Sequence, residues 1–242
     1  MLVISGVNIW IAMLCAVLAG ALTGALTGAF HTLLGIPAIL AGILTQLILW
    51  SLNLKIMGRA NQALSAQTYP VILTQLNITN ALIVLAIFTI VVIAILYWFF
   101  GTEIGTAIRA TGCNAQMARA QGVNTNRMIV SGLLISNALV ALSGALVAQS
   151  NGFADVGMGT GTIVIGLASV IIGEVLFGTR SFKNCLISVI LGSIVYRLVI
   201  ALVLQMGMPP NDLKLFTAIL VAVALSMPLI REKFRQRKTQ AP

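Results

Sequence analysis

Long apolar runs, most of them uncharged, recur along the whole sequence, and each is close to the length of helix that crosses a bilayer, about 20 residues. They fall at residues 9–30, 36–54, 78–100, 128–149, 160–178, 184–205 and 213–230. Backbone in lipid must satisfy its hydrogen bonds internally, so only helices or a closed barrel can span, and barrel strands alternate polar and apolar residues. The runs show no such alternation. The sequence therefore predicts an all-α, polytopic membrane helical bundle of about seven spans.

Composition supports this prediction and excludes other classes of protein. Hydrophobic residues make up 59% of the chain and charged residues 8%, whereas soluble domains carry about 25% charged residues. The net charge of +9 does not indicate a nucleic-acid partner, because most basic residues flank apolar runs. The three cysteines lie far apart in the chain, so neither a disulfide framework nor a CxxC metal site is expected.

Basic residues are divided unequally between the two sets of loops. One set, which contains the 101–127 loop and the 231–242 tail, holds ten of the fourteen Lys and Arg residues, whereas the other holds only Lys55 and Arg59. The ten are Arg109, Arg119, Arg127, Arg180, Lys183, Arg231, Lys233, Arg235, Arg237 and Lys238. The positive-inside rule therefore predicts a membrane domain over residues 1–230 whose 101–127 loop, like the basic carboxyl-terminal tail, is cytoplasmic. The uncharged amino terminus then lies outside, which leaves a further upstream span open.

The loop at 101–127 reads GTEIGTAIRATGCNAQMARAQGVNTNR, and its residues predict two short helices. Glu103 suits the positive end of the first helix, and Gly112 is a candidate left-handed stop for it. Asn114 is a good N-cap for a second helix over residues 115–121, which Gly122 can end. A span connector needs only a few residues, so this structured basic loop indicates either a docking surface for another protein or an amphipathic element on anionic lipid headgroups. Spacing alone leaves both interpretations open.

The same loop resembles a known family pattern. The stretch GTAIRATGCNAQMARAQGVN, which starts at Gly105, is similar to the G-xxx-R-A-xxx-N-xxx-A-xxx-G-(I/V)-(N/D) loop of ABC importer permeases in the branched-chain amino acid and ribose-type permease family. The segments PAILAGILT in the second run and GFADVGMGTGTIVIGLASVIIGE from Gly152 are similar to members that are encoded with lipoprotein-type binding proteins. Members of the family usually have at least one more amino-terminal span.

The resemblance implies a role for the loop. In this family the loop provides the coupling helix that docks on the cytoplasmic ATP-binding subunit. The residues that the resemblance assigns to the coupling loop are Gly105, Arg109, Ala110, Asn114, Ala118, Arg119, Gly122 and Asn124.

The resemblance also implies a division of labour between subunits. The sequence contains no Walker motif, GxxxxGK(S/T), so ATP is expected on a partner ATPase subunit, and this chain is expected to bind no cofactor and not to be an enzyme. The implied protein is a multi-pass permease of the bacterial inner membrane, surrounded by membrane lipid and paired with a second permease copy. An extracytoplasmic binding lipoprotein delivers a small solute, with an amino acid favoured over a sugar or nucleoside.

Polar and ionisable residues inside the apolar runs are candidates for a translocation path. These residues are Thr45, Gln46, Ser136, Asn137 and Glu174. Polar residues in spans also form hydrogen bonds between helices, and that structural alternative stays open for each of them. Arg197 is expected to be structural, because a long side chain can extend to the interface.

Two glycine patterns carry further expectations. Gly20, Gly24 and Gly28 leave one face of the first span without side chains, which predicts either close helix packing inside the chain or a contact between subunits. The glycine-rich segment at 152–161 is expected to be a re-entrant or mobile element at the outer mouth, where a binding protein docks.

Two other function classes remain as alternatives. A secondary transporter would be expected to have acidic residues near the middle of the membrane and an inverted internal repeat, and neither is evident in the sequence. A membrane anchor without transport activity would not need the polar residues in the spans or the intramembrane Glu174.

Overall fold

The computed structural model describes residues 2–64, 78–159, 162–178 and 181–205, together with isolated helical positions after residue 214. The chain divides into two compact units, Met1–Met158 and Gly159–Pro242, which we call unit 1 and unit 2. The predicted span at 213–230, apart from those isolated positions, and the predicted tail at 231–242 lie outside the described residues.

Helices make up nearly all of the described structure. Unit 1 contains α1 (Ile9–Thr32), α2 (Ala38–Met57), α3 (Ile78–Phe100), α4 (Glu103–Cys113), α5 (Ala115–Ala120) and α6 (Thr125–Asn151), and unit 2 contains α7 (Thr162–Phe177) and α8 (Phe182–Gln205). Among the described residues, α1, α2, α3, α6 and α8 are long and apolar enough to cross a membrane, and α7 is a shorter apolar helix. The prediction of an all-α membrane bundle is therefore confirmed.

A tight turn joins α1 to α2. Asn8 caps the start of α1 by accepting a hydrogen bond from the Trp10 N–H at 3.1 Å. Between the helices, Nδ1 of His31 lies 2.8 Å from the Ile36 carbonyl oxygen, and Pro37 precedes the first turn of α2, where its missing N–H costs nothing. Gly58, at φ +69°, ends α2 in the left-handed conformation. Local capping thus sets the limits of both spans.

The glycine face of α1 packs directly on the backbone of α6. A Cβ placed on Gly24 would lie 2.8 Å from the Cα of Leu134, and one on Gly28 would lie 3.1 Å from the Cα of Val130. Gly20 meets Asn137 and Ala141 in the same way, so the two helices run antiparallel. The glycine face is therefore covered within the chain, which confirms intramolecular packing and leaves it unavailable to another subunit.

Two short strands meet at the far end of α6. β1 (Asn61–Ala63) pairs with β2 (Phe153–Asp155) in antiparallel register, with Asn61 opposite Asp155. A 3₁₀ turn follows over Val156–Gly159, and the Asp155 carboxylate accepts a hydrogen bond from the Gly157 N–H at 2.6 Å. The segment predicted to be re-entrant or mobile thus begins as a paired strand. Because α6 has 27 residues, this ribbon lies about 40 Å along the helix axis from the α5 end.

In unit 2, α7 and α8 form an antiparallel pair with small residues at the contact. A Cβ on Gly192 would lie 2.7 Å from the Cα of Gly173, and Gly173 itself contacts the Ser188 backbone. One turn further along α8, Tyr196 is buried against Ala168. This close approach follows the same principle as the α1–α6 contact, in which missing side chains let two backbones meet.

Candidate functional site

The predicted pair of short helices is present in the 101–127 loop and forms a bend that we call the elbow, residues 102–124. Thr102 caps α4, since its hydroxyl oxygen accepts a hydrogen bond from the Gly105 N–H at 3.3 Å, and Glu103 occupies the first turn as predicted. Asn114 ends α4 and caps α5, because its Oδ1 accepts from the Met117 N–H at 3.0 Å. The two helices of the elbow therefore meet at a single residue.

The prediction that Gly112 stops the first helix is wrong. Helix α4 continues through Cys113, and the φ of Gly112 is not positive. The extended backbone of Asn114, at φ −154°, breaks the helix instead. A glycine permits a left-handed stop but does not require one, and an N-cap residue must leave the helical region to cap the next helix.

Gly105 is required by the turn from α3 into α4. The Gly101 N–H donates to the Trp98 carbonyl at 3.1 Å and the Thr102 N–H donates to the Phe99 carbonyl at 3.0 Å, which folds α4 back across the end of α3. A Cβ on Gly105 would lie 2.9 Å from the Phe99 carbonyl carbon. The close contact involves backbone atoms, so no side-chain rotation could relieve it.

Three more loop residues shape the far side of the elbow. Ala118 is 3% exposed, and its small side chain lets α5 sit close to the rest of unit 1. Gly122, at φ +82°, ends α5 in the left-handed region as predicted. Asn124 then caps α6, with its Oδ1 accepting from the Arg127 N–H at 3.2 Å. These residues, with Gly105 and Asn114, are structural determinants of the elbow.

The remaining loop positions form its exposed surface. Arg109, Ala110 and Arg119 are exposed. Nη2 of Arg119 donates to the buried Thr125 hydroxyl at 2.9 Å, which ties α5 to the start of α6. Sequence reasoning missed the apolar part of this surface, where Ile104 is 57% and Met117 59% exposed. The signal was available, because both are large apolar residues in a loop that consists mostly of small and polar residues.

The candidate path residues do not form one cluster within unit 1. Thr45 is buried in α2, and its hydroxyl accepts a hydrogen bond from the Thr27 hydroxyl of α1 at 2.9 Å. Asn137 is half-buried beside Gly20, and its Nδ2 donates to the Leu133 carbonyl at 3.0 Å. Because seven residues of α1 separate Thr27 from Gly20, the two polar positions lie about 10 Å apart along the helix.

The other candidates face outward. Gln46 of α2 and Ser136 of α6 have exposed side chains. In unit 2, Glu174 of α7 and Arg197 of α8 are exposed as well. Within the described ranges, no three His, Cys, Asp or Glu side chains lie close enough together to hold a metal ion.

A buried amide that sequence reasoning missed lies near the β1–β2 end of unit 1. Gln149, in the last turn of α6, is 6% exposed and lines a cavity of about 350 Å³. The cavity, which we call the apolar cavity, lies between α1, α6 and the two strands. The sequence signal for this site was a single amide near the end of an apolar run. It was not sufficient to predict the cavity, because the other lining residues come from distant parts of the chain.

Comparison with known proteins identifies sequence relatives of the chain. Residues 1–225 match the family described as "Branched-chain amino acid transport system / permease component". The "Tyrosine transport system permease protein" of Clostridioides difficile (strain R20291) is 38% identical over 222 residues, which cover 92% of this chain and 74% of that protein. An uncharacterised protein of Rickettsia prowazekii (strain Madrid E) is 32% identical over 200 residues, 79% of this chain and 69% of that protein.

No solved structure matches the chain. The family match covers unit 1 and unit 2 as far as residue 225, and it includes the residues of the elbow, the α1–α6 glycine contact and the β1–β2 ribbon. The chain therefore belongs to the branched-chain amino acid permease family of ABC transport systems.

Proposed function

We propose that this chain is the membrane subunit of an ABC importer that moves an amino acid across the bacterial inner membrane. A separate ATPase subunit supplies the energy, and an external binding lipoprotein delivers the solute. The observation that carries the proposal is the elbow, an ordered and basic surface with exposed apolar side chains. ATP is bound by the partner, and this chain acts as a permease rather than as an enzyme.

The elbow has the properties of a surface for another protein. Caps at Thr102 and Asn114 fix its two helices, and the cap at Asn124 fixes the start of α6, so docking costs little ordering entropy. Met117 and Ile104 supply apolar contact area, and Arg109 and Arg119 supply charge around it. An amphipathic element on lipid would instead need a continuous apolar face, whereas α5 has only six residues and turns Ala118 inward.

Charge favours the cytoplasmic side for the elbow. The positive-inside rule places Arg109, Arg119 and Arg127 there, on the side where ATP is available. The β1–β2 ribbon, at the opposite end of α6, then faces outward, where a binding protein delivers its solute. Two copies of the permease would line one path between these two faces.

An amino acid is the favoured solute. The name of the Clostridioides difficile relative specifies tyrosine, and 92% of this chain aligns with it. The polar positions in the spans, Thr45 and Asn137 among them, remain proposed path residues, together with Gln46, Ser136 and Glu174.

The direct test reconstitutes the chain in liposomes with the proposed partners, a Walker-motif ATPase and a binding lipoprotein from the same organism. We expect the liposomes to take up radiolabelled tyrosine only when ATP is enclosed in their lumen, on the side of the ATPase. Uptake should be lost when either partner is omitted. The variant Met117→Ala should weaken ATPase co-purification and uptake, because it removes the most exposed apolar contact of α5. Gln116→Ala, a truncation of the neighbouring exposed side chain, is the matched control and should retain both.

Uptake of the solute by the chain alone, driven by a proton or sodium gradient, would refute the proposal in favour of a secondary transporter. Retention of the ATPase by a variant that carries Met117→Ala together with Ile104→Ala would show that the elbow is not the docking surface.

A further inference from the structure

The apolar cavity has walls suited to a small uncharged group. Its lining includes Met13 and Ala16 of α1 and Ala145 of α6, together with Met57 and Leu64. None of the described residues that line it is charged. Its volume of about 350 Å³ lies at the lower end of the range of about 300–1,000 Å³ that is usual for ligand pockets.

Two amides provide the polar groups of this cavity. Gln149 is 6% exposed, and Gln62 of β1 is half-buried. A primary amide both donates and accepts hydrogen bonds, so Gln149 can offer a further hydrogen bond to a ligand beside the interaction that it already makes. An apolar cavity with a few placed polar groups is the usual composition of a site that orients a ligand.

The backbone around the cavity argues against lipid as its occupant. Gln62 and Ala154 belong to the paired strands, and Leu2, Val3 and Ile4 precede α1, so part of the wall is not helical. Non-helical backbone at membrane depth is tolerated only where protein buries it or where it lines a water-filled cavity. The strand side of the cavity therefore belongs to the aqueous or interfacial end of unit 1, whereas residues 12–19 of α1 line it within the span.

We propose that the apolar cavity receives the uncharged side chain of the amino acid on its way into the importer. An aromatic or large aliphatic group fits between Met13, Ala16 and Ala145, and a side-chain hydroxyl reaches the amide of Gln149. The charged ammonium and carboxylate groups stay at the mouth, because burying them among uncharged walls is too costly. Charged side chains are rejected for the same reason. Sugars are rejected because burying several hydroxyl groups without enough hydrogen-bond partners is also costly.

This inference rests on the proposed function, since it assumes that an external protein delivers an amino acid to the β1–β2 end. It goes beyond that function because it assigns the choice of solute to the permease as well as to the binding protein. The cavity lies at the end of α6 opposite the elbow, so it can meet the solute before the ATPase acts.

A native cysteine allows a direct binding test. Cys15 is exposed and lines the cavity, and the other two cysteines, Cys113 and Cys185, can be replaced by serine. In the reconstituted complex without ATP, we expect millimolar tyrosine or phenylalanine to slow modification of Cys15 by a charged methanethiosulfonate severalfold. Arginine and glucose should not slow it.

Each other labelling result overturns the inference. Equal protection by all four solutes, or none by the aromatic amino acids, would show that the cavity does not select side chains. Modification of Cys15 by an apolar maleimide but not by the charged reagent would show that lipid occupies the cavity.

Two substitutions test the same cavity by transport. Ala16→Trp fills it and should lower aromatic amino acid uptake by about tenfold or more, the scale expected when a hydrophobic pocket loses its fit. Leu18→Trp, on the same helix and 63% exposed outside the lining, should transport normally. An Ala16→Trp complex that assembles with its ATPase and transports at the normal rate would contradict the inference.

Gln149→Leu keeps the size of the side chain and removes the amide, so it remains informative where Ala16→Trp fails to assemble. We expect the KM for tyrosine to rise relative to that for phenylalanine by about tenfold, because only tyrosine carries the hydroxyl. An unchanged ratio would overturn the role of Gln149. If uptake is driven by ATP but no solute slows the modification of Cys15, the proposed role of the cavity is wrong and the proposed function stands. If uptake needs no ATPase, the proposed function itself is wrong.

Discussion

Two glycines of the elbow stand in opposite environments, although both lie in α4. Gly105 is pressed against the last carbonyl groups of α3, where any Cβ meets backbone. Gly112 has open space around its Cβ position and ordinary helical geometry. The family pattern contains the first glycine and not the second, which fits a pattern set by backbone contact rather than by helix termination.

Gly105→Ala should therefore destabilise the protein by about 1–3 kcal/mol, the usual cost of overpacking. Gly112→Ala is the matched control in the same helix, and it should stabilise α4 by about 0.5–1 kcal/mol, because alanine loses less backbone entropy than glycine. Melting temperatures of the two purified variants in detergent give the comparison. Equal melting temperatures for both variants and the parent chain would show that α4 can move off the end of α3.

At the scale of elements, the α1–α6 contact depends on backbone atoms that cannot rotate away. A methyl group on Gly24 would press on the Leu133 carbonyl and lie 2.8 Å from the Cα of Leu134. We expect Gly24→Ala to cost about 1–3 kcal/mol of stability, since the two helices must separate to admit it. Gly42→Ala, in the neighbouring span α2 with nothing near its Cβ position, should instead raise the melting temperature in detergent slightly, because alanine loses less backbone entropy than glycine in a helix. A Gly24→Ala protein as stable as Gly42→Ala would contradict the close packing.

The sequence was sufficient for elements whose signal is local. The spans at α1, α2, α3, α6 and α8 follow from apolar length, and the starts of α5 and α6 follow from the caps at Asn114 and Asn124. It was insufficient for β1 and β2, because each strand has three residues and its partner is about ninety residues away. The apolar cavity escaped prediction for the same reason, since Met13, Gln62 and Gln149 meet only after folding.

At the scale of the whole molecule, unit 1 presents two chemically different ends. The elbow end carries Arg109, Arg119 and Arg127, whereas the opposite end carries the β1–β2 ribbon and the uncharged apolar cavity, with Lys55 and Arg59 next to β1. A membrane potential and anionic lipids both favour the elbow end on the cytoplasmic side. The proposed division of roles, with a motor at one end and solute entry at the other, requires this orientation.

Two single-cysteine proteins can establish the orientation. One keeps the native, exposed Cys113 at the end of α4, and the other carries Asn61→Cys on the exposed edge of β1 in a background without the native cysteines. In intact cells, a membrane-impermeant maleimide should modify the cysteine at position 61 and leave Cys113 unmodified, whereas inverted vesicles should give the opposite pattern. Because α6 separates the two sites by about 40 Å along its axis, one reagent cannot reach both from the same side. Modification of Cys113 in intact cells would place the elbow outside, beyond the reach of any ATPase, and the importer mechanism would fail with it.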